Sequence, residues 1–168
     1  MPCLRPTMKK SKNIEEVVLL AGIWILNGPN LNLLGRREPE YYGTRTLDEI
    51  HSMAEAAAEG TGVEVICRQT NHEGEYLDWI QSLGAEDFLI LNPGAWTHSS
   101  YAIRDAISAV GVQAIEVHLS NIHAREAFRT NSLIAPVCVG QISGLGGEGY
   151  VLAVRFALDH LERRQITV

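Results

Sequence analysis

Ile23-Trp24-Ile25-Leu26-Asn27-Gly28-Pro29-Asn30 decides the fold: an apolar run, rich in β-branched and aromatic side chains, passes without in/out alternation into a polar turn. A strand buried on both faces reads this way, because neither side of it meets water. Working outward, comparable runs recur at residues 63–67, 88–91, 114–117 and 137–142, and segments of helical period fall between them or after the last. The best marked helix opens at Thr46-Leu47-Asp48-Glu49, a capping box, after which Leu47, Ile50, Ala54 and Ala57 share one face. Further helices are expected over 75–83, 100–110 and 149–163, with a short one near 124–129.

This β/α alternation predicts a flavodoxin-like, doubly wound sheet of five parallel strands in the order 2-1-3-4-5, in a three-layer α/β/α arrangement. In such a sheet the ligand crevice lies beyond the carboxyl ends of strands 1 and 3, where the winding reverses. Composition fits one domain: 168 residues, 46% hydrophobic, enough for a core without disulfide or metal staples. Residues 14–168 are read as a single catalytic domain and 1–13 as a flexible N-terminal extension. The apolar run 17–26 follows Lys9, Lys10 and Lys12, but Glu15 and Glu16 adjoin it and no small-residue cleavage site follows, so it is read as a strand rather than a secretory signal. It is also too short to span a bilayer.

A net charge of −6 speaks against nucleic acid or an anionic membrane as partner, so an anionic ligand must be met by local arginines; Arg36, Arg37, Arg125 and Arg129 are the candidates. Cys3, Cys67 and Cys138 are odd in number and form no Cys-x-x-Cys pair, which suits reduced thiols and a cytoplasmic location.

The strand ends collect polar groups: Asn27 and Asn30 after strand 1, Asn92, Thr97 and His98 after strand 3, and Glu116, His118 and Ser120 about strand 4. One such turn means only a turn; three that converge on a switch point, with two histidines, describe a site. The connection from strand 1 to the capping box runs for about twenty residues, well beyond the usual length of such loops. Its glycines bracket Arg36, Arg37, Tyr41 and Tyr42, the composition of a lid that closes over an anion and expels water. Tyr42 is a candidate base, though with a pKa near 10 only about 0.1% of an unperturbed phenol is ionised at pH 7. Arg37 beside it would favour the phenolate.

Gly144-Leu145-Gly146-Gly147-Glu148-Gly149 matches a dinucleotide fingerprint, but only one helix follows it, without the further strand and acidic residue that grip a ribose. It is read as a tight strand-to-helix crossover, and no cofactor is expected. His118 and His123 lack helical spacing and a completing carboxylate or thiol, so no metal is expected either.

The motifs Leu26-Asn27-Gly28-Pro29-Asn30-Leu31-Asn32-Leu33-Leu34-Gly35-Arg36-Arg37-Glu38-Pro39, Tyr42-Gly43, Asn92-Pro93-Gly94 through Thr97-His98, and Glu116 through Glu126 together resemble the type II 3-dehydroquinate dehydratases, from Ile23 to Leu161. The resemblance implies dehydration of 3-dehydroquinate to 3-dehydroshikimate, an anti elimination through an enolate, without metal or Schiff base. It makes Tyr42 the base, Arg37 the stabiliser of its phenolate, Asn30 the holder of a water at the enolate oxygen, and His118 the acid, oriented by Glu116. Asn92, Gly94, His98 and Arg129 would hold the substrate and the backbone of Leu119 and Ser120 its carboxylate. Asp105 would reach an adjacent subunit's site in a dodecamer built as a tetramer of trimers. Arg125 is read as a structural ion-pair partner, and Trp96 stands where another aromatic is common. Two other readings compete: a flavodoxin-like nucleotide- or phosphate-binding module without turnover, which has no use for the Arg37–Tyr42 pair, and a Schiff-base dehydratase, which needs a lysine where this chain has only Lys9, Lys10 and Lys12.

Overall fold

Strands β1 (Ile23–Asn27), β2 (Val65–Gln69), β3 (Phe88–Asn92), β4 (Gln113–His118) and β5 (Gly140–Ser143) form one parallel sheet in the order β2-β1-β3-β4-β5, as the alternation predicts. The structure is a computed structural model, and it describes residues 21–36 and 44–166. The N-terminal extension and residues 37–43, which carry Arg37 and Tyr42 and on which the expected lid falls, lie outside the described residues.

Both faces of the sheet are covered. Helices α1 (Leu47–Ala57) and α4 (Glu148–Ile166) pack on one side, α2 (Glu73–Gln81) and α3 (Tyr101–Val110) on the other. Successive side chains of β1 serve the two cores in turn: Ile23 and Ile25 join the first, Trp24 and Leu26 the second, and Phe88 to Leu91 of β3 divide likewise. That division is why the central runs are apolar at every position. The capping box forms in full, since the Thr46 side chain accepts from Glu49 N–H and the Glu49 carboxylate accepts from Thr46 N–H at 2.7 Å. Helix α3 starts on the Ser100 hydroxyl, which accepts from Ile103 N–H, and stops at Gly111 in the left-handed region, φ 71°.

Three expectations shift. The strand expected over 137–142 begins only at Gly140, because Pro136 lies in a 3-10 turn over Ala135–Val137. The strand expected from 63 begins at Val65. The short helix near 124–129 is two 3-10 turns, Ile122–Ala124 and Ala127–Arg129, parted by Arg125 in an extended conformation; the Asn121 side chain caps the first by accepting from His123 N–H. Among the described residues no helix is long and apolar enough to cross a membrane.

The turns after β1 and β3 grip each other. Gly28 N–H donates to the Asn92 carbonyl at 2.8 Å, and a Cβ on Gly28 would stand 2.4 Å from the Pro93 carbonyl oxygen and 2.7 Å from its carbon. Backbone lies on both sides of that overlap, so neither side can rotate away. Gly28→Ala is therefore expected to cost about 1–3 kcal/mol of stability, read as a lowered Tm, and to lower activity by parting the two turns. A wild-type Tm in that variant would refute the close-approach argument.

The glycine-rich segment before α4 is the tight crossover expected. Gly144 N–H donates to the His118 carbonyl and Gly146 N–H to the Leu119 carbonyl, at 3.1 and 3.0 Å. Gly144 takes φ 89°, with the Asn121 Cβ only 3.0 Å from where its own Cβ would be. The loop is thus occupied in bracing the end of β4.

Candidate active site

The carboxyl ends of β1, β3 and β4 open into one cleft, lined by Pro29, Asn30, Leu31 and Leu34 from the first connection, Asn92, Gly94, Ala95 and His98 from the second, and His118, Leu119, Ser120, Ile122, Arg125 and Arg129 from the third. Of the residues singled out in the sequence, Asn30, Asn92, Gly94, His98, His118, Leu119, Ser120 and Arg129 all line it. Glu116 lies directly behind His118. Asp105 is exposed on α3 and does not line the cleft of its own chain. Arg37 and Tyr42 fall outside the described residues.

Asn30 is the one non-glycine with positive φ among the described residues, at 66°, a conformation asparagine tolerates better than most. Its N–H donates to the Asn71 side-chain carbonyl at 2.9 Å, and Gln69 Nε2 donates both to that carbonyl and to the Gly28 carbonyl. The end of β2 thus braces the turn that carries Asn30 to the cleft. An uncommon backbone state held by such supports is a feature of functional sites.

Asn92 ends β3 and is almost fully buried. Its Oδ1 accepts from Gly94 N–H, and its Nδ2 donates at 2.9 Å to the Tyr150 hydroxyl, which donates in turn to Asn27 Oδ1 at 2.7 Å. Asn27 Nδ2 reaches the Arg68 carbonyl and His51 Nε2. A carbonyl only accepts, so this chain of bonds has a fixed polarity and a fixed amide orientation at Asn92.

His98 Nδ1 lies 2.8 Å from the Asn131 carbonyl and so carries a proton there. Its ring meets Phe128 edge to face, and the Arg129 guanidinium stands 4.8 Å from the same ring centre while its Nε donates to Glu126 at 2.9 Å. Arg125 also pairs with Glu126, at 3.4 Å, in keeping with a structural part for it.

Glu116 has no exposed surface. Burial works against its charge, but the hydrogen bond and charge of His118, then the Thr97 and Ser132 hydroxyls, outweigh burial and hold the carboxyl below its ordinary range. His118 Nε2 lies 2.9 Å from Glu116 Oε1, so the cleft presents an imidazole backed by a buried carboxylate, the geometry of an oriented proton donor. The thiols of Cys67 and Cys138 are pushed up to about 12, mainly by burial, and stay protonated near neutral pH. Residues that the sequence reading missed are Ser132, Gln141 and Tyr150; only the parallel register of β4 and β5, which sets Glu116 beside Gln141, could have signalled one of them.

The family described as Dehydroquinase class II matches residues 21–158. A Desulfitobacterium hafniense protein named 3-dehydroquinate dehydratase is 63% identical over 142 residues, covering 84% of this chain and 98% of that protein. A Pseudomonas aeruginosa protein named 3-dehydroquinate dehydratase 2 is 53% identical over 143 residues, 84% of this chain and 94% of its own. Among solved structures, the type II dehydroquinase from Propionibacterium acnes superposes with a TM-score of 0.78 at 41% identity, covering 82% of this chain and 96% of that one.

Proposed function

The chain belongs to the class II dehydroquinase family and is a 3-dehydroquinate dehydratase, a hydro-lyase; from that premise we propose how it carries the elimination out. Tyr42, ionised with the help of Arg37, removes the proton next to the ketone, and the electron pair moves into an enolate. Asn30 holds a water against the enolate oxygen and stabilises charge where it develops. The enolate then expels the β-hydroxyl in an anti elimination, and His118, oriented by Glu116, gives that hydroxyl a proton so that water and not hydroxide leaves. Asn92, Gly94, His98 and Arg129 hold the ring substituents, and the backbone at Leu119 and Ser120 receives the carboxylate. Neither metal nor Schiff base takes part.

The observation that carries this reading is the meeting of Asn30, Asn92 and His118 at one cleft with buried Glu116 behind the imidazole. A dodecamer of four trimers belongs to the same proposal, with exposed Asp105 serving a neighbouring subunit's cleft. So do a cytoplasmic location and a single catalytic domain over 14–168. The test is direct: purified protein given 3-dehydroquinate is expected to produce the conjugated enone, followed by its ultraviolet absorbance. A flat trace would sink the assignment.

A further inference from the structure

Glu116 accepts from four side chains. Thr97 Oγ1 donates to Oε1 at 2.7 Å and His118 Nε2 lies 2.9 Å from the same oxygen; Gln141 Nε2 donates to Oε2 at 2.8 Å, and Ser132 Oγ stands 2.8 Å from Oε2 and 3.1 Å from Oε1. Ser132 Oγ itself accepts the backbone N–H groups of Ile134 and Ala135, at 3.0 and 2.9 Å. A hydroxyl has one proton and two lone pairs. With both lone pairs taken by N–H groups, the Ser132 proton is committed to Glu116. A side-chain amide nitrogen can only donate, so Gln141 is committed as well. Oε2 thus faces two donors that have no means of accepting, and a proton placed on it would displace one of them. Oε1 faces Thr97 and His118, and among the described residues His118 makes no other side-chain hydrogen bond.

We infer that Ser132, assisted by Gln141, is a positioning residue of the reaction: it holds Glu116 as an accepting carboxylate and so fixes His118 with Nε2 protonated and Nδ1 as the nitrogen that exchanges the catalytic proton. The imidazole needs this division of labour, because Nε2–H stays on Glu116 throughout while Nδ1 is charged and discharged. The inference rests on the part given to His118 above, but its own content is the donor arrangement around Glu116.

Two measurements test it on the full chain. Ser132→Ala is expected to lower kcat for 3-dehydroquinate about tenfold or more with KM within about twofold, and to shift neutral His118 toward the Nδ1-protonated tautomer, since Glu116 then protonates more readily and can donate to Nε2. Ser132→Thr keeps the hydroxyl and is expected to recover most of the loss. Wild-type kcat and an unchanged His118 tautomer in Ser132→Ala, in a variant with a native circular dichroism spectrum, would overturn the inference. So would a threonine variant as impaired as the alanine one. The second measurement needs no substitution at Ser132: nitrogen NMR of the ¹⁵N-histidine-labelled protein, with His118 assigned by its loss in His118→Asn, should show neutral His118 protonated at Nε2 and bare at Nδ1. The opposite tautomer overturns the inference. Absence of turnover by the wild-type protein would count against the proposed function, whereas the tautomer measurement would still decide the arrangement at Glu116.

Discussion

His118→Ala is expected to lower kcat by about 10²- to 10⁴-fold, the range that a positioned general acid supplies, with a smaller change in KM. The size follows from the leaving group: hydroxide departs poorly from carbon, and no other described side chain at the cleft pairs with a buried carboxylate as His118 does through Nε2 and Glu116 Oε1 at 2.9 Å. The fold should survive the change. Glu116 keeps Thr97, Ser132 and Gln141 as donors, so its charge remains solvated by hydrogen bonds after the imidazole is gone. Stability nevertheless falls, and with a definite pH signature. A carboxyl whose folded pKa lies below its unfolded value adds stability above the unfolded pKa, near 4.3 for glutamate, and loses it as pH falls through the folded value. His118 is the foremost group holding Glu116 down against burial. The Tm gap between wild type and His118→Ala should accordingly be widest at neutral pH and close in acid. Steady-state rates by enone absorbance check the first claim and unfolding curves across pH the second; a kcat within a few fold of wild type would remove His118 from the chemistry.

What could be read from the chain and what could not divide along a physical line. The doubly covered parallel sheet was legible because β1 and β3 are apolar up to their closing asparagines, as strands buried on both faces are; the order followed as the default topology of that alternation, and the switch point from the order. The start of α1 was legible because Thr46 and Glu49 meet across three residues, a local contact. Asn30, Asn92 and His118 were legible as strand-end polar groups. Ser132 was not: its partner Glu116 is sixteen residues away through two 3-10 turns, and nothing in an Asn-Ser-Leu stretch distinguishes a committed donor from a loop hydroxyl. Gln141 depended on where β5 begins, which Pro136 shifts to Gly140. Nothing marks Tyr150 within the helix expected over 149–163, yet its hydroxyl joins Asn27 and Asn92, residues 123 and 58 positions away. Contacts of that span are set by register and packing, which one sequence does not display.

Tyr42→Phe is expected to lower kcat by about 10³-fold or more while leaving KM nearly unchanged, because the substitution keeps the aromatic ring and removes only the oxygen that, in the proposed mechanism, takes the proton. The same argument makes a sharper demand of Arg37. At pH 7 an unassisted phenol is about 0.1% ionised, and a neighbouring guanidinium that lowers its pKa by about one to three units raises that fraction by about ten- to several-hundredfold. Arg37→Gln should therefore be slow at neutral pH but gain about tenfold in rate for each unit of pH below the phenol's own pKa, as ionisation supplies what the arginine did. Tyr42→Phe has no oxygen to ionise and should stay slow at every pH. Measured side by side from pH 6 to about 10, the two variants separate charge stabilisation from proton transfer. A Tyr42→Phe enzyme with near-normal turnover would move the base elsewhere, and an Arg37→Gln profile parallel to wild type would show that Arg37 binds substrate and leaves the phenol alone.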